Sequence, residues 1–322
     1  MEFQILLSNL TNPTLLFFIL GIIAVRLKSD LEIPPSSSKF ISLYLLFAIG
    51  FKGGQELAHS GFNQEVVYSL LFGLIIASAI PMYTFFILKQ RLSSSDAAAI
   101  AASYGSVSAV TFVAAVSFLE AQKIESGGHM VAVMALMESP AIIVGVILLK
   151  WFGKDENAVE PIPLKSVIHH AFTNGSVLLI LGSLIIGLIA DTRQAEGIKP
   201  FTNDIFKGFL AIFLLEMGMV TSKRFASFRK SGWFVTAFAI LIPLINGVLV
   251  AFTSHIITNQ VGNRLILAIL AASASYIAVP AAMRLAAPKA DPGLYIPMAL
   301  GVTFPFNITV GMPLYFLIIL NT

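Results

Sequence analysis

Two stretches of small and hydroxyl-bearing side chains interrupt otherwise apolar segments of the sequence. They are residues 103–111, Ser-Tyr-Gly-Ser-Val-Ser-Ala-Val-Thr, and residues 273–280, which end in Pro280. A proline removes one helix N–H and clashes with the carbonyl one turn earlier, so the second stretch predicts a broken helix. In lipid, freed backbone groups are tolerated only where they line a cavity. The candidate ion ligands are the hydroxyls of Ser103, Ser106, Ser108, Thr111, Ser273, Ser275 and Tyr276.

A pair of broken helices could bind ions of either sign. The N-terminus of a helix presents free N–H groups and the positive end of the helix dipole to an anion. Freed carbonyl and hydroxyl oxygens can hold a hard cation such as Na⁺. Close packing of helices through small residues is the alternative explanation for either stretch alone. The occurrence of both stretches at matching places favours an ion site, since paired breaks indicate the binding site of a transporter.

A carboxylate, Glu138, lies near the middle of another apolar segment and precedes Ser139-Pro140. Carboxylates are costly in lipid and usually face a pathway or a cavity, so we predict a cation ligand or proton carrier. A protonated packing residue is the alternative. The equivalent place in the second half of the chain is uncharged, and Asn307 could supply an amide ligand there. The predicted cation-binding residues are Ser103, Glu138, Ser273 and Asn307.

The elements that must position these residues are membrane-spanning helices. Hydrophobic residues make up 57% of the 322 residues and charged residues only 11%, with a mean hydropathy of +0.87. In a soluble domain about 25% of the residues are charged. A chain with so few charged and so many apolar residues must therefore face lipid. The sequence has no cysteine, which excludes disulfides and thiolate metal sites. No basic residue precedes Arg26, so the first apolar run is expected to stay as a helix.

Ten segments are counted as transmembrane spans. Seven are uncharged, one contains only Glu138, and two are shorter and less apolar. Lys52 and Glu216 close the two short spans, and we expect both at a membrane interface. The spans are predicted over residues 3–25, 38–54, 66–88, 97–119, 126–149, 166–190, 204–221, 231–263, 265–283 and 292–322.

The distribution of basic residues predicts the orientation. With both termini outside, ten spans place 14 Lys and Arg residues in inside loops and 6 in outside loops. Cytoplasmic loops are enriched in Lys and Arg. The sequence therefore predicts a multi-pass protein of the bacterial inner membrane with both termini outside.

The two halves of the chain are predicted to be inverted repeats. Residues 101–110 resemble residues 271–280 in their pattern of small residues, and each stretch is the fourth span of its half. Five spans per half insert the second half upside down, which is the plan of many secondary transporters. We expect an all-α membrane protein of ten helices in a 5+5 inverted repeat, with helices 4 and 9 broken. The predicted units are a first repeat (1–151), a cytoplasmic linker (152–164) and a second repeat (165–322).

Other functional classes find little support in the sequence. No His-Glu-x-x-His pattern occurs, and the Walker A and Gly-x-Gly-x-x-Gly patterns are absent. An intramembrane enzyme would need a second carboxylate or a histidine cluster at membrane depth, and Glu138 has no evident partner. We therefore expect neither an enzyme nor a cofactor, apart from Na⁺ as a possible coupling ion, and no nucleic-acid partner.

The chain resembles the sodium-dependent bicarbonate transporter family along essentially its whole length. Two positions depart from the family pattern: Ala109-Val110 stands in place of Gly-Ser, and Tyr276 stands in place of a carboxylate. The resemblance rests on Asn12-Pro13-Thr14-Leu15, Ile49 to Gly54, Gly105-Ser106-Val107-Ser108, Thr111 to Ala115, Glu138-Ser139-Pro140-Ala141, Ala271 to Ser275 and Pro280.

This resemblance implies Na⁺/HCO₃⁻ symport into the cell by a homotrimer that is similar in plan to bile-acid symporters. Helices 1, 2, 6 and 7 would form a gate domain, and helices 3–5 and 8–10 a core domain. A PII-like regulatory protein is a further implied partner. The family places Na⁺ beside the anion, and the anion between the broken helices, at Ser106, Val107, Ser108, Ala109, Thr111, Ser275, Tyr276 and Ile277.

Two alternatives to sodium-coupled bicarbonate uptake are left open by the residues. The first is a proton- or sodium-coupled carrier of another small anion or monocarboxylate, in which Glu138 could carry the proton. The second is a sensor on the same fold that binds the anion without transporting it, which the replacement of a family carboxylate by Tyr276 allows.

Overall fold

The computed structural model describes residues 13–153, 169, 173–228 and 232–322. Within these ranges the chain forms helices and connecting turns, and no strand occurs among them. The start of the first predicted span, most of the predicted linker 152–164 and the start of the second predicted repeat lie outside the described residues.

The helices are labelled α1 to α13 in chain order. A π-helical turn at Pro200–Asp204 joins α8 to α9, and π-helical turns at Met298–Thr303 and Asn307–Gly311 lie inside α13. The helices are α1 Pro13–Arg26, α2 Pro35–Ser60, α3 Gln64–Leu88, α4 Ser94–Gly105, α5 Ala109–Ala121, α6 His129–Phe152, α7 Gly175–Ile189, α8 Thr192–Lys199, α9 Phe206–Phe228, α10 Trp233–Thr253, α11 Val261–Ala272, α12 Ala278–Ala286 and α13 Pro292–Leu320.

Several of these helical segments have the length and apolar character of membrane spans. Shorter apolar helices are α1, α7 and α11, while α2 has sufficient length but carries Lys39, Lys52 and Glu56. The described residues contain six membrane-length apolar segments, Gln64–Leu88, Ser94–Ala121, His129–Phe152, Thr192–Lys223, Trp233–Ile256 and Pro292–Leu320. The chain is therefore a multi-pass membrane protein.

Two helices are interrupted inside the apolar segments. The first interruption, residues 106–108, separates α4 from α5, and the second, residues 273–277, separates α11 from α12. Pro280 lies in the first turn of α12, and the carbonyl that its ring would meet one turn earlier belongs to Tyr276. That carbonyl lies in the interruption, so the proline and the break are compatible.

The helices pack in pairs that join the two halves of the chain. The most extensive contacts are those of α2 with α7 and of α1 with α9. A separate group in the first half is formed by α3, α4 and α6, and a corresponding group in the second half by α10, α11 and α13. The broken helices connect these groups, since α11 contacts α5 and α12 contacts α4 and α6.

Glycines bring the backbones of both cross-half pairs close together. A Cβ atom on Gly187 of α7 would lie 2.2 Å from the carbonyl oxygen of Phe51 in α2. A Cβ atom on Gly218 of α9 would lie 2.0 Å from the carbonyl oxygen of Phe18 in α1. Small residues at helix interfaces allow this approach, and in lipid such packing is a main source of helix association.

We expect Gly187→Ala to lower the melting temperature of the purified protein, because the added methyl group overlaps the α2 backbone. Overpacking of this kind costs about 1–3 kcal/mol. Gly182→Ala is the matched control on the same helix, since its methyl group would meet nothing within 4 Å. Thermal melting in detergent compares the two variants, and equal melting temperatures would contradict the close approach of α2 and α7.

Candidate functional site

The two broken helices meet at their interruptions. The Ser275 N–H donates to the Ser103 carbonyl at 2.8 Å, and the Ser103 hydroxyl donates to the Ser275 carbonyl. The Ser108 N–H donates to the Ser273 hydroxyl oxygen at 3.1 Å. All four serines are buried. The crossing therefore satisfies backbone groups that neither broken helix satisfies alone.

The second half-helices, α5 and α12, both begin at this crossing. Ser108 caps α5 by accepting a hydrogen bond from the Thr111 N–H at 3.2 Å. At α12 the residue before the first turn is Ile277, whose side chain offers no cap, and the Val279 N–H instead donates to the Ser275 hydroxyl oxygen at 3.4 Å. Two positive helix ends and their N–H groups thus converge on one region of the protein.

A cavity of about 30 Å³ lies against these two helix ends. One water needs roughly 10–15 Å³ by this measure, so the cavity admits a small ion and excludes a large organic solute. Two hydroxyls and three apolar side chains of α2, α7 and α9 complete its wall. The cavity is lined by Ser42, Leu45, Leu46, Val107, Ser108, Ala109, Val110, Val113, Glu138, Ser176, Phe213, Ser275, Tyr276 and Ile277.

Seven of the residues that the sequence singles out lie in the cavity wall. They are Val107, Ser108, Ala109, Glu138, Ser275, Tyr276 and Ile277. Ser103 and Ser273 lie behind them in the crossing hydrogen bonds, and Ser106 and Thr111 are buried outside the wall. Asn307 is also buried outside the wall, where its side-chain N–H donates to the Ala272 carbonyl at 2.7 Å.

Among the residues that the structure describes, Glu138 is the only carboxylate in the cavity wall. It lies on α6, which packs against α4 and α12, and its side chain is partly accessible. Among the described residues, no hydrogen-bond donor or basic side chain pairs with it. A carboxylate in lipid without a partner is a functional candidate by default.

Two further oxygens near the crossing elements are available to a cation. The Ser106 hydroxyl and the Asn307 amide oxygen are buried and have no hydrogen-bond partner in the part of the chain that the structure describes. Hydroxyl and amide oxygens are the ligand types that hard cations take in proteins. The described residues contain no group of three or more His, Cys, Asp or Glu that could hold a metal ion.

Besides Val110 and Val113 of α5, which were not predicted as site residues, sequence reasoning missed five residues of the cavity wall, namely Ser42, Leu45, Leu46, Ser176 and Phe213. They come from α2, α7 and α9, the helices of the two glycine-packed pairs. The sequence carries no signal for them, because isolated serines and apolar residues in a helix do not show which face turns inward.

A larger space of about 860 Å³, here called the vestibule, lies on the side of the cavity where α2 and α5 end. Ile49 and Val116 line the vestibule, whereas Leu46 and Val113, one helical turn away, line the cavity. The two spaces are therefore stacked along the interface between α2 and α5.

An ion-pair cluster lies in the vestibule wall. Glu120 of α5 pairs with Lys52 of α2 at 2.9 Å and with Lys207 of α9 at 3.1 Å. The interfacial position of Lys52 stays a prediction, and its ammonium group forms an ion pair with the Glu120 carboxylate.

The expectation that Glu216 lies at a membrane interface is wrong. Its helix, α9, runs on to Phe228, so Glu216 lies near the middle of the helix instead of at its end. Only 8% of the residue is exposed, and its Oε2 atom has no hydrogen-bond partner among the described residues.

Membrane-length apolar helices, together with two broken helices that cross beside an ion-sized cavity, are typical of a membrane transporter. The chain belongs to the Na⁺-dependent bicarbonate transporter superfamily, whose family model matches residues 13–320. The match covers nearly the whole chain, so the protein is a transporter and not an enzyme. No curated protein gives a significant match to it.

Proposed function

We propose that this protein takes up bicarbonate into the cell by symport with Na⁺. The observation that carries the proposal is the small cavity in which two half-helix N-termini and one carboxylate, Glu138, converge. The N–H groups and dipole ends would hold the anion, and the carboxylate would attract the cation. Membership of the Na⁺-dependent bicarbonate transporter superfamily supports this choice of ions.

The anion would lie against the interruptions at residues 106–108 and 273–277. Ser108 and Ser275 offer hydroxyl donors, and Tyr276 offers a phenol, in a wall whose other polar residues are Glu138, Ser42 and Ser176. A small planar anion has several acceptor oxygens, so converging donors recognise it better than single contacts would. The apolar remainder of the wall excludes water, which strengthens these interactions.

Sodium would lie beside the anion, with Glu138 as its charged ligand. Ser103 and Ser273 would position backbone carbonyls of the crossing, to which their hydroxyls donate hydrogen bonds. Ser106 and Asn307 would contribute oxygens that have no other partner among the described residues. A cation beside an anion lowers the cost of holding either charge in lipid. Binding of the two ions would therefore be cooperative, as symport requires.

The proposal includes the ten-helix, 5+5 inverted-repeat plan. Helices α1, α2, α7 and α9 would form the gate domain, and the groups around α3 to α6 and α10 to α13 the core domain. The cross-half pairing of α1 with α9 and of α2 with α7 supports this division. Inverted repeats would relate α1 to α7 and α2 to α9, so the same symmetry turns one of these pairs into the other. The inner-membrane location, the outside termini, the homotrimer and the PII-like partner stay predictions from the sequence.

A proton-coupled carrier of another small anion is the second candidate. The observation that favours it is Glu138 itself, a carboxylate in the cavity wall without a partner in the described residues. Such a group can carry a proton as readily as it can hold Na⁺. A pH gradient in the absence of Na⁺ would then drive uptake.

Ligand-dependent melting of the purified protein tests the proposed ion pair. We expect Na⁺ alone to raise the melting temperature modestly, and bicarbonate with Na⁺ to raise it further than the sum of the separate shifts. A ligand at 100 times its Kd stabilises the folded state by about 2.7 kcal/mol. Choline chloride replaces NaCl as the control, and strictly additive shifts would contradict coupled binding.

A further inference from the structure

A second polar site lies one helical turn from the central cavity, on the side opposite the vestibule. Phe213 of α9 and Ser42 of α2 line the cavity. Glu216 lies three residues after Phe213, and Ser38 lies four residues before Ser42, so each shares a helix face with its cavity-lining neighbour. Both faces therefore continue past the cavity.

The residues of this second site lie on helices that pack together. Helix α2 contacts α9, and Ser38 is close enough to the Glu216 carboxyl to interact with it. The same carboxyl lies near Tyr276, which lines the central cavity together with Ser108. The Tyr276 hydroxyl lies 3.9 Å from the sulfur of Met217, the residue after Glu216. Tyr276 thus belongs to the cavity wall and to the second site together.

The Glu216 carboxylate is left incompletely satisfied by these contacts. The residue is 92% buried, since its exposed fraction is 8%, and its Oε2 atom has no partner in the described residues. The ion pairs among the described residues both belong to Glu120, so none neutralises Glu216. A buried carboxylate with a free oxygen needs a cation or a proton to offset its desolvation.

We propose that Glu216, Ser38 and the Tyr276 hydroxyl form a second station for Na⁺ on the side of the central cavity opposite the vestibule. The identity of the cation rests on the proposed function, whereas the site rests on the contacts of Glu216. Carboxylate, hydroxyl and phenol oxygens suit a hard monovalent cation. Because Glu216 lies on α9 and Tyr276 on a broken helix, the station would hold the cation at the boundary between them.

The test is the Na⁺ dependence of melting for the full-length protein, with choline chloride keeping ionic strength constant. We expect Glu216→Gln to raise the Na⁺ concentration for half-maximal stabilisation by about tenfold, since ligand charge dominates the affinity for hard cations. Ser38→Ala should raise it about threefold through the loss of one neutral ligand. Glu32→Gln, which removes an exposed carboxylate from the loop before α2, is the matched control and should change nothing.

Unchanged Na⁺ dependence in Glu216→Gln would overturn the second station. If that variant does not fold, Ser38→Ala and Glu216→Asp carry the test, and wild-type Na⁺ dependence in both would overturn it. Bicarbonate uptake separates this inference from the proposed function. Glu216-dependent stabilisation by Na⁺ without bicarbonate uptake would retain the station and reject the proposed function. Na⁺-driven bicarbonate uptake by the wild type, together with an unchanged Na⁺ dependence of melting in Glu216→Gln, would retain the proposed function and reject the station.

Discussion

Glu138→Gln is expected to reduce Na⁺-driven bicarbonate uptake at least about a hundredfold. Removing one partner of a buried charge pair costs about 3–5 kcal/mol, and each 1.4 kcal/mol is a factor of ten. Glutamine keeps the shape of the side chain, so the cavity is preserved while the only carboxylate in its wall is lost. Labelled bicarbonate uptake into proteoliposomes under an inward Na⁺ gradient measures the effect.

The control for Glu138→Gln is Glu32→Gln, which removes the same charge from an exposed loop position. The melting temperatures of both variants are compared with that of the wild type to check that the fold is intact. Wild-type uptake by Glu138→Gln would contradict a coupling role for this carboxylate. A different pair of results would favour the proton-coupled carrier. The wild type would then take up bicarbonate under a pH gradient but not under a Na⁺ gradient, and Glu138→Gln would lose the uptake driven by the pH gradient.

Ala109→Leu is expected to abolish uptake by filling the cavity. Ala109 is the first residue of α5, and its side chain lies in the cavity wall. Three added carbon atoms occupy a large part of a space of about 30 Å³. Bicarbonate would then have no room at the helix ends, whereas folding would be affected little because the residue is only partly buried.

The matched control is Ala114→Leu, on the same helix and also partly buried but outside the cavity wall. Uptake in proteoliposomes is compared after both variants are shown to melt near the wild-type temperature. We expect uptake by Ala114→Leu to stay within about twofold of the wild type, since the added carbon atoms lie outside the cavity wall. Equal uptake by the two leucine variants would place the anion elsewhere.

Local chemistry made the broken helices predictable from the sequence. Pro280 restricts the backbone one turn earlier, and Gly105 with its neighbouring serines provides little side-chain packing to extend α4. Glu138 could be singled out for a similar reason, because a charge inside an apolar run is costly wherever the helix faces. These signals depend on a few adjacent residues and need no knowledge of the packing.

The wall contributed by α2, α7 and α9 could not be predicted in the same way. Ser42, Ser176 and Phe213 face the cavity only because their helices pack around the crossing, and tertiary packing determines that face. Glu216 was misplaced because a charge was taken as the end of a span, whereas α9 continues past it and buries it. The π-helical turns on both sides of Pro305 in α13 were not predicted from the sequence.

The measurement that tests the proposed function most directly is uptake of labelled bicarbonate by proteoliposomes of the wild-type protein. An inward Na⁺ gradient is compared with equal Na⁺ on both sides, and choline replaces Na⁺ in a third sample. We predict accumulation above the equilibrium level only under the gradient, together with uptake of labelled Na⁺. Equal bicarbonate uptake in all three samples, or none in any, would contradict sodium-coupled bicarbonate transport.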